Sequence, residues 1–236
     1  MGRVFEKRKH KMFARFDRMA KAFTRIGREI AIAVRLAGPN PDYNPRLRMA
    51  VQNAKGLNMP KDRVEAAIKR ASSKDEKGYE EMAYEGYGPH GIAIVADCAT
   101  DNTTRTVSNV RLIFSRNNGN LGKSGSLDFI FEKKGVFKLK PEGIVKDDLE
   151  LELIDFGADE IVEDEEGHII IYTKFTQFGS MQKALENKNI IPVSSEVQRI
   201  PNTLVDLSEA QAEEVIKLIG DLEEDEDVQV VYHNMA

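Results

Sequence analysis

The sequence predicts an α+β protein in which an all-α N-terminal domain precedes two α+β (ferredoxin-like) domains. Two observations predict this fold class. Apolar residues follow a helical period through the first third of the chain, and short apolar runs alternate with helical patterns after it. Charge changes at the same place: residues 1–71 carry 18 Lys and Arg against six Asp and Glu, whereas the remaining 165 residues carry 16 against 33. The chain therefore combines a basic module with an acidic body.

Three helices are predicted in the basic module. The apolar stripe of the first helix recurs at alternating spacings of four and three, and the helix ends at Gly38-Pro39-Asn40-Pro41. The stripe consists of Met12, Phe16, Met19, Phe23, Ile26, Ile30, Ala33 and Ala37. Asn44 and Pro45 are a cap and a first-turn residue for the second helix, and Pro60 marks the start of the third. Residues 1–76 are thus predicted to form one all-α basic domain.

Beyond a polar linker at 72–78 the hydrophobic period changes. Apolar strands are predicted at 92–96 and 127–131, on either side of a helix that follows the capping residue Asn102. From about 134 to 200 the predicted order is β–α–β–β–α–β, which is typical of the ferredoxin-like fold.

The C-terminal segment completes the predicted topology. One helix and one strand follow Pro201, whereas the segment 79–132 lacks a closing helix and strand. We therefore predict that an inserted ferredoxin-like domain, residues 133–201, interrupts an α+β domain made of residues 79–132 and 202–236.

The composition favours a soluble, cytoplasmic protein, and we expect a monomer without membrane contact. No apolar run approaches the roughly 20 residues of a membrane helix, and the N-terminus lacks the apolar core of a signal peptide. An Arg-rich start is also found in organelle transit peptides, but Glu6, Asp17 and the lack of Ser before Ser72 argue against that alternative. A single cysteine, Cys98, excludes an internal disulfide and a Cys-based zinc site.

Signals of catalysis are scarce. The segment 119–124 ends like a phosphate-binding loop, but Asn117 stands where that motif needs its first glycine. The four histidines lack metal-ligand spacing, and the acidic residues before His168 fit a hairpin turn. No Ser or Cys has a recognisable activating partner. We therefore predict a non-enzyme without metal or cofactor.

The basic residues of the first domain are the candidate nucleic-acid-binding site. On the first helix, one row flanks the apolar stripe: Arg8, Lys11, Arg15, Arg18 and Arg25. A second row recurs every seven residues, about 200° from the stripe: Lys21, Arg28 and Arg35. Other basic residues lie on the second and third helices. Charges that only solvate a helix face usually have mixed signs, so a 3:1 excess of basic residues favours a phosphate-binding surface. The candidate residues are Arg8, Lys9, Lys11, Arg15, Arg18, Lys21, Arg25, Arg28, Arg35, Arg46, Arg48, Lys61, Arg63, Lys69 and Arg70.

Several motifs, in order along nearly the whole chain, resemble the YebC/PmpR family. They are Asn44-Pro45-Arg46-Leu47-Arg48, Asn58-Met59-Pro60-Lys61-Asp62, Tyr84-Glu85-Gly86-Tyr87-Gly88-Pro89, Thr100-Asp101-Asn102, Arg105-Thr106-Val107 and Gly119-Asn120-Leu121-Gly122. The resemblance implies one all-α and two α+β domains and a role without catalysis. Members are described as DNA-binding transcriptional regulators, and others act in translation, including a mitochondrial translational activator of a cytochrome oxidase subunit.

The opening segment departs from the family pattern. Relatives usually begin with a Gly-His-Ser-Lys-Trp-like segment, whereas this chain begins Gly2-Arg3-Val4-Phe5 and has no Trp. Two hypotheses follow from the basic domain and the resemblance. The first is a DNA-binding transcriptional regulator, and the alternative is a ribosome-associated translation factor that binds ribosomal RNA through the same basic domain. In both, the acidic domains shape the site or recruit a protein partner.

Overall fold

A computed structural model describes residues 3–73 and 78–236, with side chains described from Met19 onward. The chain divides into two compact units, residues 1–79 and residues 80–236. The division falls close to the change in charge, so the basic and acidic parts of the sequence are separate folded units.

The first unit consists of three helices, as predicted. They are α1 (Arg3–Ala37), α2 (Pro45–Gly56) and α3 (Lys61–Ala71). Their shared core is built of small and medium apolar side chains, namely Ile26, Ile30, Ala33, Val34, Leu47, Ala50, Ala54, Val64 and Ala71. The predicted stripe is confirmed at Ile26, Ile30 and Ala33, whereas Ala37 is exposed at the end of α1. Met12 and Phe16 lie outside the described side chains.

One buried side chain, Asn44, joins α1 to α2. Its Nδ2 donates to the carbonyl oxygens of Ala33 (2.7 Å) and Gly38 (2.8 Å), which lie at the end of α1. Its Oδ1 accepts from the backbone N–H of Leu47 (3.0 Å), which caps the start of α2. A single amide therefore satisfies backbone groups of both helices and fixes the connection between them.

The first sheet of the second unit has the strand order β3-β1-β2-β8, with every neighbouring pair antiparallel. Its elements are β1 (Glu80–Tyr87), β2 (Ala93–Thr100), α4 (Thr103–Arg116), β3 (Asn120–Leu121), α7 (Glu209–Glu224) and β8 (Val228–His233). The predicted strand at 92–96 and the helix after Asn102 are confirmed. The C-terminal strand β8 pairs with β2, so the end of the chain completes this sheet, whereas β1 and β3 were not predicted as strands.

The second sheet follows the predicted β–α–β–β–α–β order. Its elements are β4 (Phe131–Leu139), α5 (Lys146–Leu153), β5 (Ala158–Glu163), β6 (Ile169–Lys174), α6 (Phe178–Asn187) and β7 (Ser194–Pro201). The antiparallel strand order is β5-β6-β4-β7, and the two helices contribute Leu149, Leu153, Met181 and Leu185 to its core. The inserted domain at 133–201 stays a prediction, because the compact units do not divide the chain within residues 80–236.

The predicted strand at 127–131 is wrong. Residues 124–130 form consecutive turns, and the chain becomes extended only from Phe131. The N–H groups of Ile130 and Phe131 both donate to the carbonyl oxygen of Leu127, which turns the backbone back on itself. The run at 127–131 is apolar because Leu127 is buried beside β2. A buried turn gives the same short apolar run in the sequence as a buried strand.

Within the described ranges, none of the helices has the length and apolarity that crossing a bilayer demands.

Candidate nucleic-acid interface

The basic surface of the first unit begins, in the described side chains, at Lys21. Five predicted contacts on α1 lie outside the described side chains: Arg8, Lys9, Lys11, Arg15 and Arg18. The remaining ten predicted residues divide into exposed cations and cations that the fold itself uses.

Six of the ten predicted residues are exposed: Lys21, Arg35, Lys61, Arg63, Lys69 and Arg70. Lys61 lies 3.5 Å from Glu65, but both side chains are solvated, so water and salt screen the pair and Lys61 stays available. The guanidinium carbon of Arg63 lies 5.8 Å from the ring centroid of Phe23, a weak cation–π contact that orients the side chain. The exposed cations therefore provide a solvated positive surface on α1 and α3.

Arg28 is buried, although its spacing on the helix predicts an exposed side chain. The seven-residue spacing predicts an exposed row of Lys21, Arg28 and Arg35, yet Arg28 is only 9% exposed. Its guanidinium carbon lies 5.3 Å from the ring centroid of Tyr79, which covers this face of α1. Helical spacing places a residue on a face, but it does not show which distant residue returns to cover that face. Arg28 therefore anchors Tyr79 instead of facing solvent.

Three further candidates are half-buried: Arg25, Arg46 and Arg48. The Nη1 of Arg48 lies within hydrogen-bonding distance of the carbonyl oxygens of Pro41 (3.3 Å) and Asp42 (3.4 Å). These contacts brace the loop between α1 and α2. Arg48 therefore positions a loop on the surface of the basic unit.

The braced loop presents an aromatic side chain that sequence reasoning missed. Tyr43 is 84% exposed, and Leu36 at the end of α1 is also exposed. Exposed aromatic rings are surfaces on which unpaired nucleotide bases stack. Lys55, exposed in the last turn of α2, was missed as well. Tyr43 lies in a loop without periodicity, so only the structure reveals its exposure.

The arrangement is suited to holding a polyanion. The described acidic residues of this unit are Glu29, Asp42, Asp62 and Glu65, and they are outnumbered by the basic ones. Lys and Arg bind phosphate oxygens through charge-assisted hydrogen bonds, and planar guanidinium groups do so in a bidentate manner. The first unit therefore has the chemistry of a phosphate-binding surface with an aromatic side chain exposed on it.

Two family profiles together cover nearly the whole chain. The profile described as "TACO1/YebC protein N-terminal domain" matches residues 3–74, and "TACO1/YebC second and third domain" matches residues 79–235. The chain belongs to the TACO1/YebC family. The family of the sequence-based resemblance is thereby confirmed.

Similar proteins extend over the full length. A "Probable transcriptional regulatory protein" of Cytophaga hutchinsonii is 58% identical over 236 residues, which cover 100% of this chain and 99% of that protein. A protein of the same description from Anaeromyxobacter dehalogenans is 55% identical over 240 residues, with 100% of both chains covered. The crystal structure of a conserved hypothetical protein from Aquifex aeolicus has a TM-score of 0.81 at 37% identity, covering 92% of this chain and 90% of that one.

In this member of the TACO1/YebC family, the motif around Arg105 and Thr106 stabilises the fold. The buried carboxylate of Asp227 accepts hydrogen bonds from Arg105 Nη2 (2.8 Å) and from the Thr106 hydroxyl (2.8 Å). Burial acts to raise the pKa of Asp227, but the hydrogen bonds from Arg105 and Thr106 outweigh it, so the pKa lies below its ordinary value. The charged pair joins α4 to the segment that leads into β8.

The motif around Glu85 and Gly86 shapes the loop that follows β3. The buried Glu85 carboxylate accepts from the backbone N–H groups of Gly125 and Leu127, each at 2.8 Å. A Cβ at Gly86 would lie 2.6 Å from the carbonyl oxygen of Asn120, so only glycine allows β3 to approach β1 this closely. These motif residues fix a loop in place, which explains their side-chain types without catalysis.

A cluster of Asp164, Glu166 and His168 at the β5–β6 hairpin has the donor atoms of a metal site. Lys138 reaches the same carboxylates, with its Nζ 2.8 Å from Asp164 and 3.5 Å from Glu166. The hydrogen bond from Lys138, together with those from the backbone N–H groups of His168 and Glu166, lowers the pKa of Asp164 to about 2. The lysine thus offsets part of the negative charge of this turn, and the expectation of no metal stays a prediction.

Proposed function

We propose that this protein is a nucleic-acid-binding regulator that acts by binding, without catalysis, and that its target is DNA. The observation that carries the proposal is the exposed set of cations on α1 and α3, within the first 71 residues, which contain 18 basic and six acidic residues. The descriptions of its relatives as probable transcriptional regulatory proteins support DNA as the target. The proposal includes a cytoplasmic, monomeric protein whose acidic second unit recruits a protein partner.

Phosphate binding by this surface has a measurable signature. Each Lys or Arg that neutralises a phosphate of duplex DNA releases condensed counterions, so binding weakens as salt rises. Six exposed cations that each meet one phosphate correspond to a slope of about −5 in a plot of log K against log salt. A surface that only solvates the protein has no such slope.

The experiment measures the affinity of the full chain for a labelled DNA duplex by fluorescence anisotropy across a range of salt concentrations. The variant Lys69→Glu/Arg70→Glu removes two exposed cations of α3, and we expect weaker binding with a slope reduced by about 2. The matched control Lys140→Glu/Lys183→Glu reverses two exposed lysines of the acidic unit and should leave the slope unchanged.

A second arm replaces the duplex with a ribosomal RNA fragment at the same salt concentrations. Stronger binding to duplex DNA supports the DNA-binding regulator. Stronger binding to the RNA overturns DNA as the target and favours the ribosome-associated alternative. If the wild-type chain binds neither nucleic acid at low salt, the proposal as a whole is wrong.

A further inference from the structure

One segment of the acidic second unit is positively charged, in contrast to the rest of that unit. Residues 102–127 contain Arg105, Arg111, Arg116 and Lys123 but no Asp or Glu. The whole region after residue 71 carries 33 acidic residues against 16 basic ones, so a stretch of this length without any acid departs from its surroundings. From the overall charge, the sequence alone predicts that the acidic unit is a poor phosphate surface, and this segment is an exception.

The structure places this segment on α4 and the loop that follows β3. Arg111, Arg116 and Lys123 are exposed, and none of them forms an ion pair with a residue that the structure describes. Arg105 is different, because Asp101 and Asp227 hold its guanidinium. Three cations of the segment are therefore free to meet an external anion.

The two arginines lie at the two sides of one exposed helix face. Arg116 lies five positions after Arg111, which corresponds to about 140° around the helix and about 7.5 Å along it. The exposed side chains of Leu112 and Ser115 lie in the arc between them, and Ser108 lies one turn before Arg111. Hydroxyl and guanidinium groups side by side are typical of surfaces that contact phosphate oxygens.

The acidic helix α7 borders this face without covering it. Asp221 accepts a hydrogen bond from Asn117 Nδ2 (2.8 Å), and Asp225 accepts one from Asn109 Nδ2 (3.0 Å). Both carboxylates thus bind amide side chains, one within α4 and one directly after it, and not the arginines of α4. These carboxylates therefore line one side of the positive face of α4, and their negative charge disfavours a polyanion on that side.

The loop that carries Lys123 is held in one conformation. The Gly122 N–H donates to the Glu85 carbonyl oxygen (2.7 Å), and the Glu85 carboxylate binds the N–H groups of Gly125 and Leu127. A loop that is already ordered loses little conformational entropy when it binds a ligand. This rigidity favours a preformed site over a surface that must fold on binding.

We propose that the exposed face of α4, with Lys123, is a second phosphate-binding surface that contacts the sugar–phosphate backbone of a nucleic acid. The inference rests on the proposed function for the class of ligand, and it places a contact in the unit that the overall charge argues against. Surfaces that only solvate a helix usually carry both signs of charge, whereas α4 carries no acidic residue.

The test uses the full chain and the duplex salt titration described above. We expect Arg111→Glu/Arg116→Glu to weaken binding and to reduce the salt slope by about 2. Lys140→Glu/Lys183→Glu is again the matched control. Because glutamate near the end of α4 opposes the helix dipole, Arg111→Gln/Arg116→Gln is measured in parallel, and thermal unfolding by circular dichroism identifies variants that are folded.

A second readout locates the nucleic acid directly. A photoreactive group on Ser115→Cys should crosslink to the duplex, whereas the same group on Ser180→Cys, exposed on α6, should not. The native Cys98 is buried, so it does not compete for the label.

The outcomes separate the two proposals. An unchanged slope in folded α4 variants, together with equal crosslinking at both cysteines, overturns the second surface. If Lys69→Glu/Arg70→Glu still weakens binding in that case, the proposed function stands. If only the α4 variants weaken binding, the second surface is supported and the assignment of binding to the basic unit is wrong.

Discussion

The guanidinium of Arg105 binds the carboxylate of Asp227 across 122 residues of chain, with Nη2 lying 2.8 Å from Oδ2 and 2.9 Å from Oδ1. Arg105 lies in the first turns of α4, and Asp227 immediately precedes β8, the strand that the end of the chain adds to the first sheet. The pair therefore ties the C-terminal strand to the middle of the sequence. It also holds α4, whose outer face is the proposed second surface.

Replacing Asp227 should destabilise the second unit. Asp227→Asn removes the charge that Arg105 and Thr106 bind and leaves donors unsatisfied in a buried site, at a cost of about 1.5–3 kcal/mol. Urea unfolding followed by circular dichroism measures the loss. Asp206→Asn, at an exposed position, is the control and should unfold at the wild-type midpoint. Equal midpoints for both variants would show that the pair contributes nothing to stability.

The acidic hairpin should have a pH-dependent stability. The pKa of Asp164 lies at about 2 in the folded protein, chiefly because Lys138 donates to it, whereas the ordinary value is 3.8. A lowered pKa stabilises the fold above the unfolded value, so this contribution is lost as the pH falls from about 4 to about 2. NMR titration of the Asp164 carboxyl carbon measures the pKa directly.

Lys138→Met is the matched variant for that titration. It removes the ammonium group, so the pKa of Asp164 should move up towards 3.8. The backbone N–H groups of Glu166 and His168 still bind Asp164, so we expect a partial shift. An Asp164 pKa unaffected by this substitution would refute the role assigned to the lysine.

Tyr43 should contribute to binding through its ring. Tyr43→Ala removes a stacking surface worth about 1–3 kcal/mol per base, so affinity for a single-stranded oligonucleotide should fall by about 5- to 150-fold. Tyr43→Phe keeps the ring and should bind like the wild type. The salt slope should stay constant in both, because no cation is lost. Equal affinities of the alanine and phenylalanine variants would exclude stacking by Tyr43.

Asn44 should be important for the stability of the basic unit. Asn44→Ala removes the cap of α2 and leaves the carbonyl oxygens of Ala33 and Gly38 without their donor, which costs about 2 kcal/mol or more. Chemical denaturation followed by the helical signal checks this loss. Asn187→Ala, at the exposed end of α6, serves as the control. A variant as stable as this control would mean that the two helix ends are held by other contacts.

Much of the architecture was predictable because it depends on local chemistry. The period of the apolar residues and the caps Asn44 and Asn102 determine where helices begin, and both act within a few residues. The β–α–β–β–α–β order was readable for the same reason. The strand predicted at 127–131 failed because its backbone conformation is set by Glu85, which lies 42 residues away from Leu127.

The candidate site, like the fold, was predictable only in part. The basic character of the first unit can be read from the amino-acid sequence, because charge is a property of composition. Which cations reach solvent depends on the folded structure: Arg28 is covered by Tyr79, whereas Arg111 and Arg116 are exposed inside an acidic unit. The exposure of a side chain depends on which distant segment packs against its helix face, and helical periodicity contains no information about that segment.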